Sequence, residues 1–347
     1  MASLSSTQPP VAQSFSFALT FTDGFRRVLA APAVLFGVFV LTFVLAAPLA
    51  ITMRGVLQDH LGRSLEAGAQ ADGVNYDWWQ EFTAQASGLG TSFTPSVIGF
   101  AAVLDNVSAI LDGQGEIFPI AAALATYLLA WVFLSGGIVD RYARQRPTRA
   151  HGFFSASGTF FFRFLRLAIV AGAVYWFLFA YVHEWLFADV YADINRDLGV
   201  ERTAMAWRFG FYAVFALLLA AANILFDYAK VRAVVEDRRS MLGALVASVA
   251  FIRRRPGRVT GLYLANALLF LVLLGVWALV APGAGGTGAS MWLAFVGGQL
   301  YLLARLVLKL QFIASQTALF QHSLAHASYV AAPVVAWPES PAVETIV

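Results

Sequence analysis

Apolar residues in this chain gather in long blocks separated by short charged clusters. Six blocks stand out: Leu29–Met53, Ile117–Val139, Leu165–Val182, Phe209–Phe226, Val259–Val280 and Met291–Leu308. A bilayer core of ~30 Å takes about 20 residues of α-helix to cross, since each residue advances the helix by ~1.5 Å. The third block holds the shortest uncharged run, and Arg163 and Arg166 lengthen it by reaching toward the headgroups with their charged ends. No charge interrupts Val259 to Ala304, which is too long for one span. The glycine-rich APGAGGTGAS at 281–290 divides it into two helices joined by a tight turn. The pattern predicts an all-α, polytopic integral membrane protein with about six transmembrane helices.

Residues 1–28 are expected to form a cytoplasmic N-terminus with an interfacial helix, and 29–326 a six-span membrane domain with external segments 54–116 and 183–208. The remainder, 327–347, is expected to be a disordered cytoplasmic tail. LAAPLA at 45–50 resembles a cleavage site, but the first apolar block is too long and starts too late for a cleaved signal peptide. It reads as a retained anchor. The stretch 94–111 is apolar but broken by Asp105 and Asn106, so an interfacial or re-entrant course is expected instead of a seventh span.

Composition agrees: 59% of the 347 residues are hydrophobic and 12% charged, against about 25% charged in soluble domains. Without cysteine there is neither a disulfide framework nor a thiolate metal site. Charge distribution sets the expected orientation. Of the 23 Lys and Arg, eighteen fall on one side of the six spans and five (Arg54, Arg63, Arg196, Arg202, Arg208) on the other. The positive-inside rule puts the richer side and both termini in the cytoplasm. A bacterial cytoplasmic (inner) membrane is the expected location. The dense cluster FDYAKVRAVVEDRRS at 226–240 then marks the fourth span entering the cytoplasm. There each basic residue gains about 1 kcal/mol from anionic lipid headgroups.

Two of these clusters resemble each other. DRYARQR (140–146) follows the second span and DYAKVR (227–232) the fourth; downstream, ASGTFFFR (156–163) matches ASVAFIR (247–253). FALTFTDGFRR (17–27) is a fainter third copy. Apolar stretches with arginines at their ends suit interfacial helices. The chain reads as three repeated units: interfacial helix, span out, external segment, span back. Residues 231–269 further resemble a family of bacterial multi-span membrane domains that occur alone or fused to glycerophosphodiester phosphodiesterases. The likeness rests on Glu236, Ala244, Leu245, Ser248 and Arg253–Arg255. It implies a membrane domain and brings no catalytic residue, because the chemistry of the fused enzymes belongs to a separate soluble domain.

Candidate chemistry is sparse. His322 and His326, four apart on a helix, lack the glutamate and third ligand of a zinc site. His183, Glu184 and Trp185 suit an interfacial aromatic belt. Trp78, Trp79 and Phe82 beside Asp77 and Glu81 form either an aromatic ligand face or, the favoured reading, a segment resting on the outer leaflet. The glycines of 283–288 fit no phosphate-binding loop. No cofactor, metal or nucleic-acid site is expected.

Within the spans, Asn223, Asn266 and Gln299 are positioned to hydrogen-bond between helices, with Ala294 and Gly298 allowing close approach. Arg305 and Lys309 share a face near the end of the last span, where charges snorkel or mark a functional site. Asp227 gains nothing from anionic headgroups; Arg305, expected at similar depth, is its proposed partner, with Lys230 the local alternative. The sequence thus predicts a non-enzymatic scaffold or accessory domain for partner proteins or lipid. The alternative is a transporter or permease-like component for a small solute or lipid, which requires polar groups converging at the midplane.

Overall fold

The computed structural model describes residues 17–71, 75–93, 118–196, 199–281 and 288–325, and every regular element among them is helical. In chain order these are α1 (Phe17–Leu29), α2 (Pro32–Leu61), α3 (Ala67–Ala71), α4 (Tyr76–Gln85), a 3-10 turn at Gly88–Ser92, and α5 (Phe118–Arg144). Next come α6 (Ala150–Phe177), two π-helical stretches (Leu178–His183 and Trp185–Val190), α7 (Tyr191–Arg196), α8 (Glu201–Val235), α9 (Met241–Arg254), α10 (Pro256–Val280) and α11 (Ala289–Ala325). Six helices are long and apolar enough to cross a membrane, and one predicted block falls on each. The architecture is all-α and polytopic. The stretch 94–111, His326 and the tail 327–347 lie outside the described residues, as do the linker glycines 283–287.

The spans are longer than their apolar blocks. Residues 183–196 prolong α6, and 201–208 open α8, so most of the segment 183–208 is helix. The last span runs on from Leu308 to Ala325. Its continuation is polar by residue type, yet Gln311, Ser315, Gln316, Thr317 and Ser323 are all buried. They face other helices, so hydropathy alone ends the span too early.

Short helices precede the spans as expected, with one difference. α1 breaks from α2 at Ala31, and α9 from α10 at Arg255, each with proline next as the first residue of the span (Pro32, Pro256). Proline lacks the N–H that would extend the preceding helix and disfavours helical geometry in the residue before it. Between Ala150 and Phe177 there is no proline, and the interfacial stretch and the span form one unbroken helix.

α1 packs along α11, the first half of α6 along α5, and α9 along α8. The matched serines of the repeat, Ser157 and Ser248, are both fully buried. Ser157 faces Gly137 of α5, where an added Cβ would also stand 2.8 Å from the Phe153 carbonyl oxygen. At Gly24 a Cβ would meet Ser315 of α11 at 2.8 Å. Small residues permit this approach, and in lipid such packing takes the place of the hydrophobic drive that assembles soluble helices.

Contacts of α1, the α5–α6 and α8–α9 connections and the C-terminal turns of α11 place them at one end of the bundle, called here the basic end. Most buried apolar side chains gather there, among them Ile138, Tyr142, Tyr228, Phe251, Leu310 and Phe320. A smaller cluster around Phe215 packs inside the π-helical stretches at the other end. Elsewhere the spans expose bare apolar faces, such as Leu264, Leu268, Leu271 and Leu279 on α10. Contiguous exposure of this kind suits hydrocarbon and not water.

Candidate functional site

Polar side chains from neighbouring helices meet along α8, at an exposed Asn223 and a more buried Asp227. Asn223 Oδ1 accepts from the Tyr175 hydroxyl of α6 (3.3 Å), and its Nδ2 donates to the Tyr263 hydroxyl of α10 (3.2 Å). One turn on, Asp227 Oδ1 pairs with Lys230 Nζ at 2.6 Å, and Oδ2 accepts from Gln316 Nε2 of α11 at 3.2 Å. Deeper in α10, Asn266 Nδ2 donates to Ser315 Oγ at 3.1 Å. Asn223 and Asn266 each bond to side chains of neighbouring helices. Gln299 Oε1 is buried with no partner among the described residues.

The pairing of Asp227 with Arg305 is not formed. Gln316 marks the level of Asp227 on α11, and Arg305 lies eleven residues, about 16 Å, further toward the other end. The predicted similarity of depth assumed that α11 ends near Leu308, whereas it continues to Ala325. The Arg305 guanidinium instead stacks over Tyr301 and Phe270, 5.6 and 5.8 Å from the ring centres.

The same extension moves Lys309 from the end of a span to its interior, sixteen residues or about 24 Å before Ala325. Its ammonium donates to the Tyr127 hydroxyl (3.1 Å) and stands 3.6 Å from the centre of the Trp131 ring on α5. No carboxylate among the described residues pairs with it. Aromatic faces compensate a desolvated cation by roughly 2 kcal/mol, less than an ion pair of good geometry provides. Lys309 and Lys230 against Asp227 leave the interior with two cations and one anion, and the exposed Arg305 adds a third positive charge one turn away. Tyr127 and Trp131 were not singled out by sequence, because aromatics four apart in an apolar block also describe a lipid-facing stripe.

At the basic end, arginines tie helix termini together. Arg27 is 4% exposed; it donates to the Tyr142 carbonyl (3.0 Å), Gln321 Oε1 (2.6 Å) and Asp23 (2.8 Å). Gln321 Nε2 donates to the Ala143 carbonyl (2.9 Å), Arg141 to Ala30 (2.7 Å) and Arg255 to Ser323 (3.3 Å). These carbonyls sit in or just past final helical turns, where they lack helical donors and the helix dipole favours cations. Arg163 reaches across to Asp237 (2.6 Å), and Arg232 bonds the Ala247 carbonyl while pairing with Glu236. Burial pushes the Glu236 carboxyl up, but hydrogen bonds and charge from Arg232 and Arg238 outweigh it and hold the group below the usual carboxylate range. Much of the predicted collar thus serves the fold. Arg146, Arg149, Arg239, Arg253, Arg254 and Arg258 remain exposed.

The aromatic segment 75–82 turns inward. Asn75 caps α4 by accepting from the Asp77 and Trp78 amides (2.9 and 3.0 Å). That register puts Trp78 and Phe82 on one face, stacked on each other and set edge-on to His60 of α2. Both are fully buried, so this pair forms neither an open ligand face nor a leaflet anchor. His183 packs on Phe187 and Phe215, with Glu184 and Trp185 exposed beside it. Among the described residues no cluster of His, Asp or Glu has metal-binding geometry. Comparison with protein-family models, curated proteins and solved structures finds no match to this chain.

Proposed function

We propose that this is a non-enzymatic, multi-pass protein of a bacterial cytoplasmic membrane, with both termini inside, that acts as a lipid-engaging scaffold or accessory domain. The arrangement of the basic end carries this reading. The short helix α1, the first half of α6, and α9 each bury one face against a span and turn another apolar face outward: Leu19 and Leu29, Phe154 and Phe162, and Leu242 and Val246. Exposed arginines lie beside these faces. Apolar side chains in the headgroup boundary with cations next to them form an anionic-lipid surface. The resemblance of residues 231–269 to membrane domains that accompany a separate enzyme supports an accessory role. Co-purification tests the reading. After extraction in mild detergent, anionic phospholipid should be enriched on the protein relative to the bulk membrane; a bulk composition would refute it.

The excess positive charge around Lys309 favours a second reading, a permease-like component for a small anionic solute. Lys309→Met would then abolish anion flux in proteoliposomes, whereas the scaffold reading predicts no flux in either protein.

A further inference from the structure

One groove lies between α2, α5 and the N-terminal turns of α6, with a volume of about 700 Å³, within the ~300–1,000 Å³ of ligand sites. Its mouth is at the basic end, where Ala30, Arg141 and Thr148 line it, and its walls rise to Val44 and Ala130. Pro32 to Val44 is twelve residues, about 18 Å of helix, close to half of a ~30 Å hydrocarbon core. The groove therefore has the depth of one leaflet.

Arg141 is 7% exposed, and its one hydrogen bond among the described residues is to the Ala30 carbonyl. No described carboxylate pairs with it, and its neighbour Asp140 is held by Arg144 at 2.7 Å. A nearly buried guanidinium without a counter-ion is costly unless an anion completes it. Ala150, also on the groove wall, begins a helix of 28 residues whose Arg149 cap supplies no side-chain acceptor. The first amides of α6 thus add partial positive charge to the mouth.

We infer that this groove holds one anionic phospholipid of the cytoplasmic leaflet, its phosphate on Arg141 at the mouth and one acyl chain along the apolar wall of α2 and α5. Guanidinium and phosphate match in geometry, and the wall offers an acyl chain only apolar side chains over its length. The inference rests on the lipid-engaging reading above and names its specific site.

The test is quantitative lipid analysis after stringent delipidation of the full-length chain, followed by re-addition of phosphatidylglycerol or phosphatidylethanolamine in mixed micelles. Two variants attack the site from opposite sides. Arg141→Gln removes the charge. Gly37→Leu fills the groove, and a Cβ at Gly37 meets nothing within 4 Å, so the helix itself is undisturbed. The wild type should retain about one phosphatidylglycerol per chain and exclude phosphatidylethanolamine. Each variant should lower that retention roughly tenfold, the scale of one charge-assisted contact. Arg202→Gln, exposed at the opposite end of the bundle, should leave it unchanged. If Arg141→Gln fails to assemble, Gly37→Leu decides. Anionic lipid retained equally by both variants overturns the groove assignment and leaves the scaffold reading intact. Equal retention of phosphatidylethanolamine overturns the role of Arg141, and no retained lipid at all overturns both.

Discussion

Replacing Arg27 by methionine deletes the guanidinium at the centre of the basic end while keeping an unbranched stem in its place. Arg27 is 4% exposed and its partner Asp23 18%, so Arg27→Met leaves a poorly hydrated carboxylate, the Tyr142 carbonyl and the Gln321 amide without their donor. Removing one member of a buried pair costs roughly 3–5 kcal/mol. At about 2 °C per kcal/mol, the lower slope for larger domains, the unfolding midpoint should fall by about 6–10 °C. Arg144 offers the comparison: it pairs with Asp140 at 2.7 Å but is 67% exposed, and Arg144→Gln should cost less than ~1 kcal/mol. Thermal unfolding in one detergent, followed by intrinsic tryptophan fluorescence, measures both. Asp23→Asn added to Arg27→Met should recover part of the loss, because the stranded charge is gone. A loss in Arg27→Met no greater than in Arg144→Gln would refute the role of Arg27 as the tie between α1, α5 and α11.

Other consequences follow from the same geometry. Gly137→Ala drives a Cβ into the Phe153 carbonyl and Ser157 and should destabilise by about 1–3 kcal/mol, whereas Gly158→Ala, with nothing within 4 Å, should be neutral or mildly stabilising in the same unfolding assay. Glu236 has a folded-state pKa below its unfolded value, so its stabilisation is present above the ordinary carboxylate range and lost as pH falls through the lowered folded value. Glu236→Gln should accordingly flatten the acid limb of a stability–pH curve without changing its slope near neutrality. A double-mutant cycle on Asp227→Asn and Lys230→Met should show coupling, whereas Asp227→Asn and Arg305→Gln should add within ~0.5 kcal/mol.

The six spans were legible because hydrocarbon selects for long apolar blocks regardless of what each helix touches. The breaks before Pro32 and Pro256 follow from local proline sterics, yet the first apolar block runs from Leu29 across Pro32, because hydropathy does not register a proline. What escaped was burial of polar residues by other polar residues. Gln311, Ser315 and Thr317 look like the exit from a membrane, yet α1 covers this stretch of α11, with Gln311 donating to the Phe21 carbonyl at 2.9 Å. That contact spans 290 residues of sequence, beyond any local pattern. Misplacing the end of α11 also misplaced Arg305 and Lys309, and with them the partner of Asp227. The basic collar was legible as charge, but not as Arg27 and Arg141 spent on helix ends, because a snorkelling arginine and a stapling one are the same letter.

Everything assigned to lipid on the basic end depends on that end facing the cytoplasm. The chain contains no cysteine, so single cysteines report without background. Arg239→Cys and Asp193→Cys place exposed thiols at the basic and opposite ends. With a membrane-impermeant maleimide, intact spheroplasts should label Asp193→Cys and leave Arg239→Cys unlabelled until the membrane is permeabilised. Labelling of Arg239→Cys in intact spheroplasts, with Asp193→Cys protected, would contradict the orientation.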